Sequence, residues 1–171
     1  VNLLALKAFL IGLLVALVQF FLGLVFSVAA LSAGLTLLDR LTRGYEEWEL
    51  IKKGNVAVGV LYGMVALSII IMVEPSLVAT VLAVHAAMLD AAWLAFLLHL
   101  LVFVIALLMA VLSIYTTLRV INSITADVDE FGAIMKGNVA MAVLVGCMVL
   151  GVSLVIRTAI VYLVAALTAA I

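Results

Sequence analysis

Three ionisable side chains stand where an apolar chain tolerates them least: Glu74, Arg157 and His99. Glu74 follows Gly54 by twenty residues and Arg157 follows Gly137 by twenty, and no Lys, Arg, Asp or Glu lies between. In helical geometry each charge then stands roughly 30 Å from its glycine. His99, counted back twenty from Arg119, falls at a similar depth. Charges inside a membrane are expensive and mark pairs, relays or solute paths. The chemistry open to these three is an ion pair with a titratable imidazole beside it, as in an ion or proton pathway. A plainer reading stands next to it. Glu74 precedes Pro75 and ends a helix in the outer headgroups, and Arg157 reaches the same layer along its own stem.

Asn55 and Asn138 are the other polar pair, each directly after a glycine. The structural reading is a corner: Gly54 and Gly137 end one helix in a left-handed turn, and each asparagine caps the next. The functional reading brings the two asparagines together to line a polar opening. Catalysis has no comparable support. No Ser/His/Asp constellation, His-x-x-x-His, cysteine pair or phosphate-binding glycine loop is present, so no enzymatic activity, metal or cofactor is expected. His85 and His99 are fourteen residues apart. On one helix that is about 21 Å, too far for both to ligate one haem.

The elements that position these residues follow from composition. Of 171 residues 70% are hydrophobic and 10% charged, against ~25% charged in soluble domains. Residues 8–38, 54–73, 91–118 and 137–156 hold no charged side chain. About 20 apolar residues cross a ~30 Å hydrocarbon core as a helix, and unbroken apolar runs exclude the alternation of a lipid-facing strand. The expected class is all-α: a polytopic membrane protein with four transmembrane helices. Ala29–Ala33 resembles a signal-peptidase site, but the segment before it exceeds the 7–15 residues of a signal core, and it is expected to be retained. Cys147 is expected to be a small packing residue within the fourth span, and a net charge of −1 points to no nucleic-acid partner.

An offset of 83 residues aligns Lys53-Gly54-Asn55-Val56-Ala57 with Lys136-Gly137-Asn138-Val139-Ala140, and nine of fifteen positions match over 53–67 and 136–150. Glu46, Glu47 and Trp48 fall on Asp129, Glu130 and Phe131. The chain therefore divides into two-helix units, 1–83 and 84–171, in tandem. Two spans return each unit to its starting side, so a pseudo-two-fold axis along the membrane normal is expected. Glu74 and Arg157 are equivalent under this offset and opposite in charge.

The hairpins inside the units carry Arg40, Arg43, Lys52 and Lys53, then Arg119 and Lys136, while residues 74–93 between the units carry no Lys or Arg. The positive-inside rule puts both hairpins in the cytoplasm and both termini outside. Trp93 and Tyr45 or Trp48 then mark opposite interfaces. Glu46–Lys53 reads as a short amphipathic surface helix, and Asp127 with Glu130 as a capping box in the second copy.

A Glu-aromatic-x-Leu-Ile-Lys-x-Gly-Asn-x-Ala segment entering a glycine-spaced helix, present twice, resembles the domain-of-unknown-function family numbered 350. Glu46–Gly63 and Asp129–Gly146 carry the resemblance; Gly132 and Ala133 depart from it where Glu49 and Leu50 stand. The resemblance implies a small prokaryotic multi-pass protein of the cytoplasmic (inner) membrane, often with the domain in tandem, and no activity.

Gly59-x-x-x-Gly63 and Ala142-x-x-x-Gly146 occupy matching places. Small residues four apart allow close helix approach, so these two helices are expected to pack on each other across the pseudo-axis. Two functions remain open. One is a non-enzymatic structural or accessory module that forms homo-oligomers in the lipid bilayer and offers its hairpins to a cytoplasmic or membrane protein partner. The other is a small channel or carrier for ions or small solutes, running past Glu74, Arg157 and His99 or between Asn55 and Asn138.

Overall fold

The computed structural model describes residues 3–41, 47–124 and 129–170. They form six helices: α1 (Leu3–Leu41), α2 (Glu47–Lys52), α3 (Val56–Asp90), α4 (Trp93–Ile124), α5 (Glu130–Met135) and α6 (Val139–Ala170). Four of these are long and apolar enough to cross a membrane. Among the described residues there is no strand.

The corners before α3 and α6 are built alike. Gly54 and Gly137 have φ of 83° and 94°, the left-handed region that a side chain disfavours. Asn55 N–H donates to Leu50 O and Gly54 N–H to Ile51 O, matched by Asn138 to Ala133 and Gly137 to Ile134. These bonds satisfy the last carbonyls of α2 and α5. Asn55 Oδ1 then accepts from Val58 N–H and Asn138 Oδ1 from Met141 N–H, both at 3.1 Å, so each asparagine caps the helix that follows.

Two boundary expectations are corrected. Glu74–Pro75 does not end a helix, because α3 runs through Pro75 to Asp90. A proline deprives the preceding turn of one N–H, a loss that neighbouring hydroxyls and packing make tolerable in apolar helices. Ser76 Oγ donates to Val73 O at 2.8 Å within that turn. The connection to α4 shrinks to Ala91 and Ala92, with Ala91 left-handed at φ 56°. His85 and His99 consequently lie on different helices, α3 and α4, and a distance along one helix does not apply to them.

The second correction concerns the capping box. Asp127 lies outside the described residues, and α5 is capped by Asp129, whose Oδ1 accepts from Gly132 N–H at 2.8 Å. Glu130 is buried, and among the described residues neither of its carboxylate oxygens has a hydrogen-bond partner.

Packing is most extensive between α3 and α6 and next between α3 and α4, with α1 on α3, α4 on α6 and α1 on α4 following. The core lies along α3, α4 and α6, around Ile69, Met72, Ile114 and Val149. A two-fold axis exchanging α1 with α4 and α3 with α6 would turn the α3–α4 packing into an equal α6–α1 packing. Among the described residues α1 and α6 make no packing of that extent. The helices form a two-row strip instead, α1 beside α4 in one row and α3 beside α6 in the other.

Candidate functional site

The α3–α6 seam carries an ion pair between equivalent positions of the two units. Arg157 Nη2 donates to Glu74 Oε2 at 2.8 Å, across the 83-residue offset. Glu74 stands sixteen residues before the end of α3 and Arg157 thirteen before the end of α6. The pair therefore sits near the mid-length of both helices and not at their outer ends. With 35 residues α3 is about 52 Å long, well beyond the ~30 Å of a hydrocarbon core. Neither side chain points into the bundle: Arg157 is 43% and Glu74 47% exposed. The ion pair lies on the outer flank of the bundle.

His99 belongs to a different place. It is buried, and its Nδ1 lies 2.8 Å from Ala95 O. A carbonyl only accepts, so Nδ1 carries a proton. Nε2 faces Thr168 Oγ1 at 3.5 Å, and Thr80 Oγ1 donates to His99 O at 3.0 Å. Thr80 is six residues past Glu74, so His99 stands about 9 Å farther along the bundle. Its bonds run to α4 itself, α3 and α6, which is the environment of a packed core histidine.

The two asparagines also part company. Asn55 Nδ2 donates to Met135 O at 2.8 Å, tying the start of α3 to the second hairpin. Asn138 is exposed, and among the described residues its amide makes no such crossing. At the same end Tyr62 Oη donates to Asp39 Oδ1 at 2.7 Å, and Trp48 packs edge-on against Tyr62 with ring centroids 5.2 Å apart. The first contact ties α3 to α1 and the second packs α2 on α3, and nothing in residue spacing pointed to them.

The small residues pack on one side only. A Cβ placed on Gly146 would strike the Met64 side chain, whereas nothing lies within 4 Å of one placed on Gly59 or Gly63. Ala142 is fully buried and Gly146 buried, but Gly63 is exposed. Thus α6 turns its small face to α3, while α3 meets it through Met64 and keeps its own glycine face outward. The expected pairing of equivalent faces gives way to a face-to-back contact, the local expression of the strip.

A groove of about 520 Å³ opens between α4 and α6, lined by Met109, Ser113, Thr116 and Thr117 on one wall and Met148 and Val152 on the other. Thr116 and Thr117 each donate to their own helix, to Leu112 O and Ser113 O at 2.8 Å. What they add to the wall is chiefly methyl surface.

Four helices long and apolar enough to cross a membrane, joined within each unit by a short helix and a Gly-Asn corner, define a multi-pass α-helical membrane protein. The chain belongs to the family described as Domain of Unknown Function (DUF350), whose model matches residues 9–160. Neither the curated proteins nor the solved structures compared with it contain a match.

Proposed function

We propose that this protein is a non-enzymatic accessory module that assembles with copies of itself in the bilayer of a prokaryotic cytoplasmic membrane. Both hairpins face the cytoplasm in this reading, following the Lys and Arg of the two hairpin regions, and serve as docking elements for a protein partner. The observation that carries it is the Glu74–Arg157 pair, half-exposed on the flank at mid-length of two apolar helices. Ionised groups at membrane depth face protein or water and not lipid. A neighbouring subunit laid against that flank removes them from hydrocarbon.

The same pair also favours a second reading, a small channel or carrier whose water-filled path runs past the flank. Two measurements separate them. Subunit counting by stepwise photobleaching in native membranes returns more than one chain per spot for the module. Ion and solute flux into liposomes holding purified protein stays at background for it, and rises above background, with loss in Glu74→Gln, for the channel. Single-chain spots with no flux would sink both. Single cysteines at Lys52 and Lys136, labelled in intact cells and after permeabilisation, test the sidedness.

A further inference from the structure

The strip ends on two open edges, and each is the counterpart of a surface already covered inside the chain. Val65 and Ile69 of α3 are 3% and 0% exposed, while their equivalents under the 83-residue offset, Met148 and Val152 of α6, are 45% and 39% exposed. Helix α4 makes the difference. It fills the groove between α1 and α3: Phe103 packs on Phe26 with ring centroids 5.6 Å apart, and a Cβ on Gly34 would meet Leu107 Cδ1 at 3.5 Å. The equivalents of Phe26, Gly34, Val65 and Ile69 are Met109, Thr117, Met148 and Val152, four residues lining the open α4–α6 groove. The equivalents of Phe103 and Leu107 are Phe20 and Leu24 on the outer face of α1, and both are exposed.

We propose that chains join head to tail, α1 and α3 of one copy packing on α4 and α6 of the next as α4 and α6 pack on α1 and α3 within a chain. This rests on the self-assembling module and specifies its interface. Phe20 and Leu24 of the second copy enter the groove beside Met109 and Thr117. The substitution of Thr117 for Gly34 makes that seat shallower than the internal one, and the Thr117 hydroxyl, already bonded to Ser113 O, leaves a methyl to meet Leu24.

Two further features of the open edges match. The Met64–Gly146 contact becomes Cys147 of one copy against Gly63 of the next, and Cys147 is exposed while Gly63 has room for a side chain. The Glu74–Arg157 bond becomes a row in which each Arg157 has a Glu74 on both sides, its own chain's and the neighbour's. That row places the half-exposed flank charges between subunits. It also gives equivalent positions a reason to be opposite in charge, since every neighbour in the row is then of opposite sign. A heterologous contact of this kind repeats, closing as a ring or continuing as a strip.

The test uses the native cysteine. Gly63→Cys is made in the full chain, oxidised in native membranes and run on a non-reducing gel, beside wild type and Gly63→Cys/Cys147→Ala. Head-to-tail packing gives a ladder through trimer and higher species in Gly63→Cys alone. Dimer as the largest product, or equal products when Cys147 is absent, overturns it in favour of a like-on-like contact. The intrachain pair Met64→Cys/Gly146→Cys in Cys147→Ala, read as a shift in monomer mobility, establishes that oxidation proceeds at this depth. With that shift present, no interchain product overturns the interface. Photobleaching of wild type then shows whether only this interface fails, with several chains per spot, or self-assembly as well, with one.

Discussion

Met64 of α3 lies against the bare Cα of Gly146 on α6, and its Cβ would stand 3.0 Å from any Cβ built there. Its sequence neighbour Gly63, the equivalent of Gly146, touches nothing within 4 Å of the same construction. One glycine is thus a packing requirement and the other a vacancy in the isolated chain. Gly146→Val is expected to destabilise the fold by about 1–3 kcal/mol through overpacking. Gly63→Ala should be neutral or stabilising by up to about 1 kcal/mol through helix propensity. Unfolding in mild detergent micelles, followed by helical signal, measures both. Equal losses would show that the two glycine faces pack alike.

Asn55 and Asn138 are the same residue at the same place in sequence and do different amounts of structural work. Each caps its helix, a contribution of about 0.5–2 kcal/mol. Asn55 alone also donates across the molecule to Met135 O, a bond of about 1 kcal/mol. Asn55→Ala should therefore lower stability more than Asn138→Ala, and Asn55→Asp, which keeps the cap and removes the crossing donor, should fall between. If the two alanine variants matched within error, the crossing bond would contribute nothing.

The flank pair invites a charge swap. Glu74→Arg places two cations side by side, and Arg157→Glu two carboxylates, so each single variant should lose folded yield and stability. The double variant restores opposite charges at 74 and 157 in inverted order. It should recover most of the loss, with a coupling of about 1 kcal/mol or more, as contacting pairs show. Because the row between subunits keeps alternating signs in the double variant, self-assembly should recover with it. Recovery of stability without recovery of assembly would separate the pair's internal role from any role between copies.

Much of this arrangement was legible in residue order, and the illegible part has a physical pattern. The spans were readable because charges are excluded over long runs, and the corners because Gly54-Asn55 and Gly137-Asn138 carry conformations and caps that few other residues supply. The shared level of Glu74 and Arg157 follows from their equal spacing past those glycines. Three things were not readable. Pro75 after Glu74 reads as a helix end in isolation, and only the continuing apolar sequence and packing carry α3 on to Asp90. The small-residue motifs on α3 and α6 are alike in sequence, so which one is covered depends on the side from which the partner helix approaches. The two-fold expectation had the same origin: tandem similarity fixes that two units are alike and says nothing about whether they face each other or follow each other.

Glu130 is the residue whose place in the fold is least explained by its type. It stands in the first turn of α5 beside its cap Asp129, is 2% exposed, and among the described residues neither carboxylate oxygen has a hydrogen-bond partner. Burying a carboxyl group without partners opposes folding, whichever protonation state it adopts, because water's hydrogen bonds are given up and none replaces them. Ile134, one turn on, is fully buried in the apolar core, so the surroundings accept an apolar side chain. Glu130→Leu is therefore expected to stabilise the protein by about 1 kcal/mol or more, and Glu130→Gln by less, since the amide still buries two polar atoms. Unfolding in mild detergent, against wild type at the same pH, decides it. Loss of stability in both variants would mean that Glu130 is held by a partner supplied from outside the chain. A stable Glu130→Leu that no longer supports the cellular role of the protein would identify the buried carboxyl as functional.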